Sequence, residues 1–513
     1  MDEDDICYLT AGEALRRFRA GSLSPLDLIE SLVSRDRALG ERVNAFTSRH
    51  FGAALAAAAE AERRYAVGTA RPLEGIPVAV KGDAESAVAG TISCDGTLWR
   101  KGCVDTRTCP SVERLISAGA IVLARTTLPE LAWAWTCHTR AWGLTANPWN
   151  PRYSAGGSSS GSAAAVAAGL TTLATGTDCL GSLRHPAAMC GVVGYKPPFG
   201  RNPLAEEVSF DTFSHFGAMA RSVEDCALAQ NVMSGPHPLD HNSMPDKIEL
   251  SWPPESVSGL RVAFTFDFGM FPVAADVREA TIRVVEALAA DGAEVSPVET
   301  DWAAEVFGAC GRYVDLLRAP DFMDAVAGHF DELCDYTIYF ERCVRLIEPD
   351  QFARTVELAG RLWRSRLGPM FERFDAFLCP TVGFHHVPAA NRPWEQSIEV
   401  NGRQHTDNDG VMTGAFNLFS RCPAMTLPSG LTREGLPTAV QVVGRPYDDA
   451  MVFRVAAAIE RAHPFYRGTD RRPALPADIR LRATNAEEAR PSAASTCYPT
   501  PAGKAARGEW HHG

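Results

Sequence analysis

Three short stretches of this chain carry residue types and spacings that can do chemistry. Gly156-Gly-Ser-Ser-Ser-Gly-Ser162 runs directly into Ala163-Ala-Ala-Val-Ala-Ala-Gly169. From its residues this is a flexible loop opening onto an Ala-rich helix, whose unpaired N–H groups can hold an anion. A plain Gly/Ser connector has the same composition. Gly176-Thr-Asp-Cys-Leu-Gly-Ser182-Leu-Arg184-His-Pro-Ala sets a serine after a small-residue turn, between Asp178 and Arg184. Such a charged pair can brace the turn from both sides and leave its N–H groups free to form an oxyanion hole. A surface turn with an incidental salt bridge fits the pattern too. Lys81 follows the apolar run Gly75-Ile-Pro-Val-Ala-Val80. A lysine ending a buried strand either snorkels to water or is kept inside as a functional amine, and burial disfavours the charged form of an amine so kept.

The elements around these stretches read as α/β. Ile76–Val80 and Ala120–Ala124 are short apolar runs bounded by Gly or charge, expected as strands covered on both faces. Between them, Ser111–Gly119 is expected as an amphipathic helix with Gly at its end. The alternation argues for a covered sheet. The first 65 residues are expected to be helical: Thr10 and Glu13 make a capping box, Ser24-Pro25 starts a second helix, and Ala53–Tyr65 forms a third. The rhythm resumes with a strand at Leu260–Phe264 and a helix at Asp276–Ala290. Residues 302–374 read as mostly helical. Strands and turns follow, from Phe377–Pro380 through Ala439–Val443. After about residue 470 the chain turns to Pro, Ala, Arg and Ser without periodicity, so 471–513 is expected to be a poorly ordered tail.

Bulk properties exclude other classes. The chain has 513 residues, 46% hydrophobic and 22% charged, enough for a large core without disulfides or metals. Net charge is −12 and no long basic run occurs, so nucleic acid is not an expected partner. Fourteen cysteines are scattered without a C-x-x-C pair, which argues for reduced thiols and against a structural zinc. No H-E-x-x-H occurs, and no metal or cofactor is expected. The acidic start Met1–Ile6 is not a signal peptide. Ser154–Thr177 is uncharged but too polar to span a bilayer, so a cytoplasmic protein without a membrane span is expected, compatible with a homodimer.

Together the three stretches resemble the amidase signature family, whose pattern is roughly G-G-S-S-G-G-S followed by T-D-x-G-G-S-[IL]-R. Twenty-four residues separate Ser158 from Ser182, and Lys81 sits in the family's P-V-A-V-K context. Asn147-Pro-Trp-Asn-Pro151, Cys190-Gly-Val-Val-Gly-Tyr-Lys-Pro197, Asn417, Cys422-Pro-Ala424, Leu427-Pro428, Gly435-Leu-Pro437 and Val443-Gly-Arg-Pro446 extend the likeness over about residues 8–470. The resemblance implies one large α/β/α domain, 66–470, with a central mixed sheet covered by helices on both faces and residues 1–65 packed on it. It implies hydrolysis of a carbon–nitrogen acyl bond, with Ser182 as nucleophile, Ser158 after a cis bond from Gly157 as relay, and Lys81 as base. The backbone N–H groups of Cys179, Leu180, Gly181 and Ser182 would hold the oxyanion, with Asp178 and Arg184, Gly157 and Ser159 supporting the loops. Esters or carbamates are accepted by the same chemistry. A partner-dependent amidotransferase component shares the triad and is the rival assembly.

Three positions depart from the family pattern. Leu180 replaces a usual Gly and would force a reshaped loop if that position needs positive φ. Ser160 replaces another Gly and adds a hydroxyl near the site, and Gly82 replaces a common Asp. Gly157-Ser-Ser-Ser-Gly161 also spells a G-x-S-x-G nucleophile elbow, which would select Ser159, but the Pro-rich segment before it cannot be the required strand. His138, His185 and the His385-His386 pair are expected as pocket-lining or ordinary buried histidines rather than bases. The aromatic stretch Leu128–Trp142, with Trp133, Trp135 and His138, is expected on the pocket wall with His185, pointing to an apolar or aromatic acyl or amine group. Residues 302–374 are expected to cover the pocket, with Tyr313, Phe322, Phe330 and Phe340 as candidates to face the ligand.

Overall fold

The run that ends in Lys81 is a strand buried along its whole length, and its neighbours are what give the lysine its surroundings. The computed structural model describes residues 3–204, 211–466 and 471–475. Its main sheet has eleven strands. The first half supplies β1 (Phe46–Arg49), β2 (Pro77–Lys81), β3 (Ile121–Thr126), β4 (Leu173–Asp178), β5 (Val193–Lys196) and β6 (His215–Ala220). The second half supplies β7 (Arg261–Phe264), β8 (Glu294–Pro297), β9 (Ala376–Pro380), β10 (Ala424–Leu431) and β11 (Pro437–Gly444). Their order across the sheet is β1-β3-β2-β4-β6-β5-β10-β11-β9-β7-β8. β2 runs parallel to both β3 and β4, while β4 through β9 pair antiparallel across the middle, so the sheet is mixed.

Alternation along β2 sends its side chains to opposite faces. Val78 and Val80 join the larger core cluster, whereas Ala79 packs with Ala163–Ala167 of the small-residue helix Ser160–Ala167. Lys81 has the parity of Ala79. All eight residues of that helix are buried, and its side chains are small because it lies between the sheet and other backbone. The long uncharged stretch from Ser154 is therefore a loop, this helix and β4, and among the described residues no helix is long and apolar enough to cross a membrane.

The N-terminal helices start where their capping boxes stand: Thr10 with Glu13 before Ala11–Ala20, and Ser24 with Asp27 before Pro25–Val43. Asp225 accepts from the amides of Ala11 and Gly12 at 2.9 and 3.0 Å, tying the first of these helices down. One expectation needs correcting. Phe46–Arg49 is not helical but is the edge strand β1, antiparallel to β3; four residues between two helices carry no periodic signal of their own. The 302–374 region is mostly helical, with Ala303–Val326, Asp335–Arg345, Gln351–Leu362 and Gly368–Arg373. Beyond residue 475 the expected tail lies outside the described residues.

Candidate active site

β2 ends at the site. Lys81 is fully buried, and its Nζ lies 2.9 Å from Ser158 Oγ, 2.6 Å from Thr177 Oγ1 and 3.0 Å from Asp83 Oδ2. It does not snorkel. Thr177, near the end of β4, also donates to Asp83 Oδ2 at 3.0 Å, so the amine, hydroxyl and carboxylate close a small ring. Burial would raise the Asp83 carboxyl, but whenever Lys81 is protonated its charge, with Ser86 and Arg125, holds the carboxyl below the ordinary value. Arg125 of β3, fully buried, donates to the carbonyls of Lys81 and Asp83 at 2.7 and 3.1 Å and to Asp105 Oδ2 at 2.9 Å. It clamps the chain just past the lysine. Gly82 is the turn between Lys81 and Asp83, and a Cβ there would stand 2.5 Å from the Thr126 carbonyl. The place of the family's Asp is thus closed by backbone, and the carboxylate comes from one residue later.

The Gly157–Ser158 peptide is cis. The Gly157 amide donates to His185 Nδ1 at 3.1 Å. Ser158 and Ser182 line one cavity together with Thr177 and Asp83. Ser159 is turned away: fully buried, it donates to the Thr177 carbonyl at 3.3 Å, while its amide bonds the Ser182 carbonyl at 2.9 Å. Ser160, expected to add a hydroxyl near the site, instead donates back to the Gly156 carbonyl, because its position on the first helical turn points it at the preceding loop.

The turn after β4 is built on Asp178 and Arg184. Arg184 Nε and Nη2 donate to Asp178 Oδ2 and Oδ1 at 2.9 and 3.0 Å, and both side chains are fully buried. Arg184 also reaches Asn417 Oδ1 at 2.7 Å, Gln441 Oε1 at 3.0 Å and the Thr413 carbonyl at 3.1 Å. Burial pushes the Asp178 carboxyl up, yet the guanidinium and the Asn417 amide more than reverse it and keep it well below the usual carboxylate range. Between these anchors Gly181 has φ +128°, and a Cβ there would meet Thr413 Oγ1 at 1.9 Å. The left-handed position is therefore Gly181 and not Leu180, which is absent from the positive-φ residues, so Leu180 costs the loop nothing. Among the described residues the amides of Cys179, Leu180, Gly181 and Ser182 donate to no protein acceptor.

The cavity beside these groups encloses about 620 Å³. Trp133 and Trp135 line it, as do Phe322 and Phe340 of the helical cover. Trp142 is elsewhere, under the Lys101 ammonium at 4.5 Å. Tyr313 stacks between Phe213 and Phe352, and Phe330 is exposed. The two histidines expected on the wall are not there. His138 packs edge-on against Tyr336 at 5.1 Å, 3.9 Å from Asp335, because the short strand carrying it turns its ring behind the wall. His185 sits under Trp135 and Gly157, where burial lowers its pKa to about 4 and it stays neutral. Asp83, Thr177, Arg125 and Asn417 were missed as supports. Only Asp83, a carboxylate two residues past a strand-ending lysine, left a local signal.

Comparison with known proteins agrees with this architecture. The Amidase family model matches residues 27–310 and 346–453. The chain is 29% identical to an acylamidase of Rhodococcus erythropolis over 489 residues, covering 92% of this chain and 99% of the relative. It is 30% identical over 487 residues to a component of the glutamyl-tRNA(Gln) amidotransferase of Roseiflexus castenholzii, covering 88% and 95%. The crystal structure of a bacterial aryl acylamidase of the amidase signature enzymes superposes with a TM-score of 0.84 at 26% identity, covering 91% of this chain and 99% of that one. With its mixed sheet, its buried lysine and its match over most of the length, the chain belongs to the amidase signature family and is an amidase, a hydrolase of carbon–nitrogen bonds.

Proposed function

We propose that this amidase hydrolyses aryl or alkyl amides through an acyl-enzyme on Ser182, with Ser158 as proton relay and Lys81 as base. The observation that carries the reading is the buried Lys81 Nζ at 2.9 Å from Ser158 Oγ, in a cavity that Ser182 shares. The base role requires Lys81 as the free amine. Ser182 Oγ attacks the acyl carbon as its proton passes to Ser158 Oγ, whose own proton passes to Nζ. The unused amides of residues 179–182 receive the negative charge on the carbonyl oxygen. Asp83, 3.0 Å away, offsets the ammonium that has formed. The proton then returns through Ser158 to the leaving nitrogen, the amine departs, and water repeats the sequence to release the acid and restore Ser182. Thr177 keeps Nζ directed at Ser158, and Arg125 holds the turn that carries Asp83.

The aromatic lining favours an apolar or aromatic group on one side of the scissile bond. A matched set of p-nitroanilide, amide, carbamate and ester substrates ranks the acyl classes. Ser182→Ala and Lys81→Ala abolish turnover with the circular dichroism spectrum preserved, while Ser159→Ala retains it; activity surviving in Ser182→Ala overturns the assignment. Turnover of a simple amide by the isolated chain separates this reading from the partner-dependent one that the amidotransferase relative suggests.

A further inference from the structure

The helix Ala303–Val326 turns one stripe into the cavity, including Gly311, Val314, Asp315, Arg318, Phe322 and Ala325 at three- and four-residue steps. Asp321 of the same helix also lines the cavity but is exposed to solvent; the two more enclosed charged members differ in their partners. Arg318 is engaged outside the stripe, 2.9 Å from Glu85 Oε1, 2.6 Å from Ser214 Oγ and 2.5 Å from Asp211 Oδ2. Asp315, a turn earlier, is 7% exposed and has neither a hydrogen bond nor an ion pair among the described residues, and its Oδ2 is wholly buried. Burial alone raises its pKa to about 8, so the unliganded carboxyl keeps its proton near neutrality. The acyl-transfer chemistry gives this group no task, and a buried polar group without a partner is costly to keep.

Two further observations say what the partner is. The other cation on the cavity wall, Arg100, is paired with Asp95, whereas Asp407 is 3% exposed with both carboxyl oxygens unbonded. The uncommitted charge of the wall is therefore acidic. Aromatic faces border the same space: Trp133 stacks on Phe322 with centroids 4.1 Å apart, and Phe340 meets Trp133 edge-on at 5.9 Å. Such faces attract cations.

We propose that the substrate carries a protonated amine on the part lying under this helix, and that Asp315 is the specificity residue that receives it. The proposal rests on the amidase reading of the same site. As the ammonium arrives, Asp315 gives its proton to solvent and the carboxylate pairs with the cation. Charge-assisted hydrogen bonds of this kind are the strong ones.

The test compares 5-aminopentanoyl-p-nitroanilide with hexanoyl-p-nitroanilide, which has the same chain length and a methyl in place of the ammonium. The wild-type protein is expected to prefer the amine by about ten-fold or more in kcat/KM, and Asp315→Asn to bring that ratio to about one. A merely structural role would depress both substrates equally and leave the ratio, which overturns the proposal, as does a wild-type ratio of one or less. Failure to cleave either anilide counts against the amidase reading instead. The cation site is then read without turnover, by calorimetric binding of 5-aminopentanamide and hexanamide to Ser182→Ala near pH 7. Tighter binding of the amine with release of about one proton supports it, and equal affinity sinks it.

Discussion

Replacing Asp83 by Asn changes one atom type in the surroundings of Lys81 and leaves the shape alone. In the form that the base role requires, with Nζ as the free amine, the carboxylate faces a neutral group and gains only a hydrogen bond. Once the relay has delivered the proton, a full ion pair forms at 3.0 Å. At an effective dielectric of about 20, that pair is worth about 5–6 kcal/mol at the 3.0 Å separation. The amide oxygen of the variant still accepts from the ammonium, which retains about 2 kcal/mol. The difference, about 3–4 kcal/mol, belongs to the transition state and predicts a fall in kcat/KM of roughly 160- to 900-fold with little change in KM. Initial rates on a p-nitroanilide measure it, with circular dichroism to confirm the fold. If Asp83→Asn keeps kcat/KM within about five-fold of wild type while Lys81→Ala is dead, Asp83 is not the counterion of the transition state and the electrostatic argument fails.

Gly181→Ala drives a Cβ to 1.9 Å from Thr413 Oγ1 at φ +128°. It should cost about a hundred-fold in kcat by displacing the amide donors, and near-normal turnover would show that the loop does not hold the oxyanion. Arg184→Met leaves Asp178 ionised and buried without its cation, so a loss of about 3–5 kcal/mol is expected in urea unfolding, and an unchanged midpoint contradicts it. His385 is buried with neither ring nitrogen bonded. Burial, with His185 and His386 nearby, lowers its pKa from 6.5 to about 3, so the unfolded chain takes up the proton first as pH falls. Its contribution to stability is complete above 6.5 and drains as pH drops toward 3. At about pH 5 the loss is about 2 kcal/mol, so His385→Leu should lose less stability than wild type between about pH 7 and 5, and parallel losses would count against this account.

The strands of the first half were legible because apolar runs such as Ile76–Val80 are short, bounded and followed by a charge. The capping boxes at Thr10 and Ser24 set helix starts through contacts three residues apart. β1 was not legible, since Phe46–Arg49 becomes a strand only through the free edge that β3 offers it. The histidines show the same limit. His185 and His138 have the composition of pocket residues, but a short helix and a two-residue strand turn their rings to Gly157 and Tyr336.

Residue type and spacing, read through the family resemblance, singled out the two serines, the lysine, the braced turn and the aromatic wall, since each is written within a few consecutive positions. Tertiary structure alone decided the rest. Asp83 and Thr177, 94 residues apart, meet at Lys81 only because β2 lies beside β4. Asn417 and Gln441 reach Arg184 from more than two hundred residues away. Asp315 faces the cavity rather than solvent because of how one helix is rotated about its axis. A side chain's charge is written in the chain, but the dielectric and the partners that give that charge its effect are supplied by segments far away in sequence.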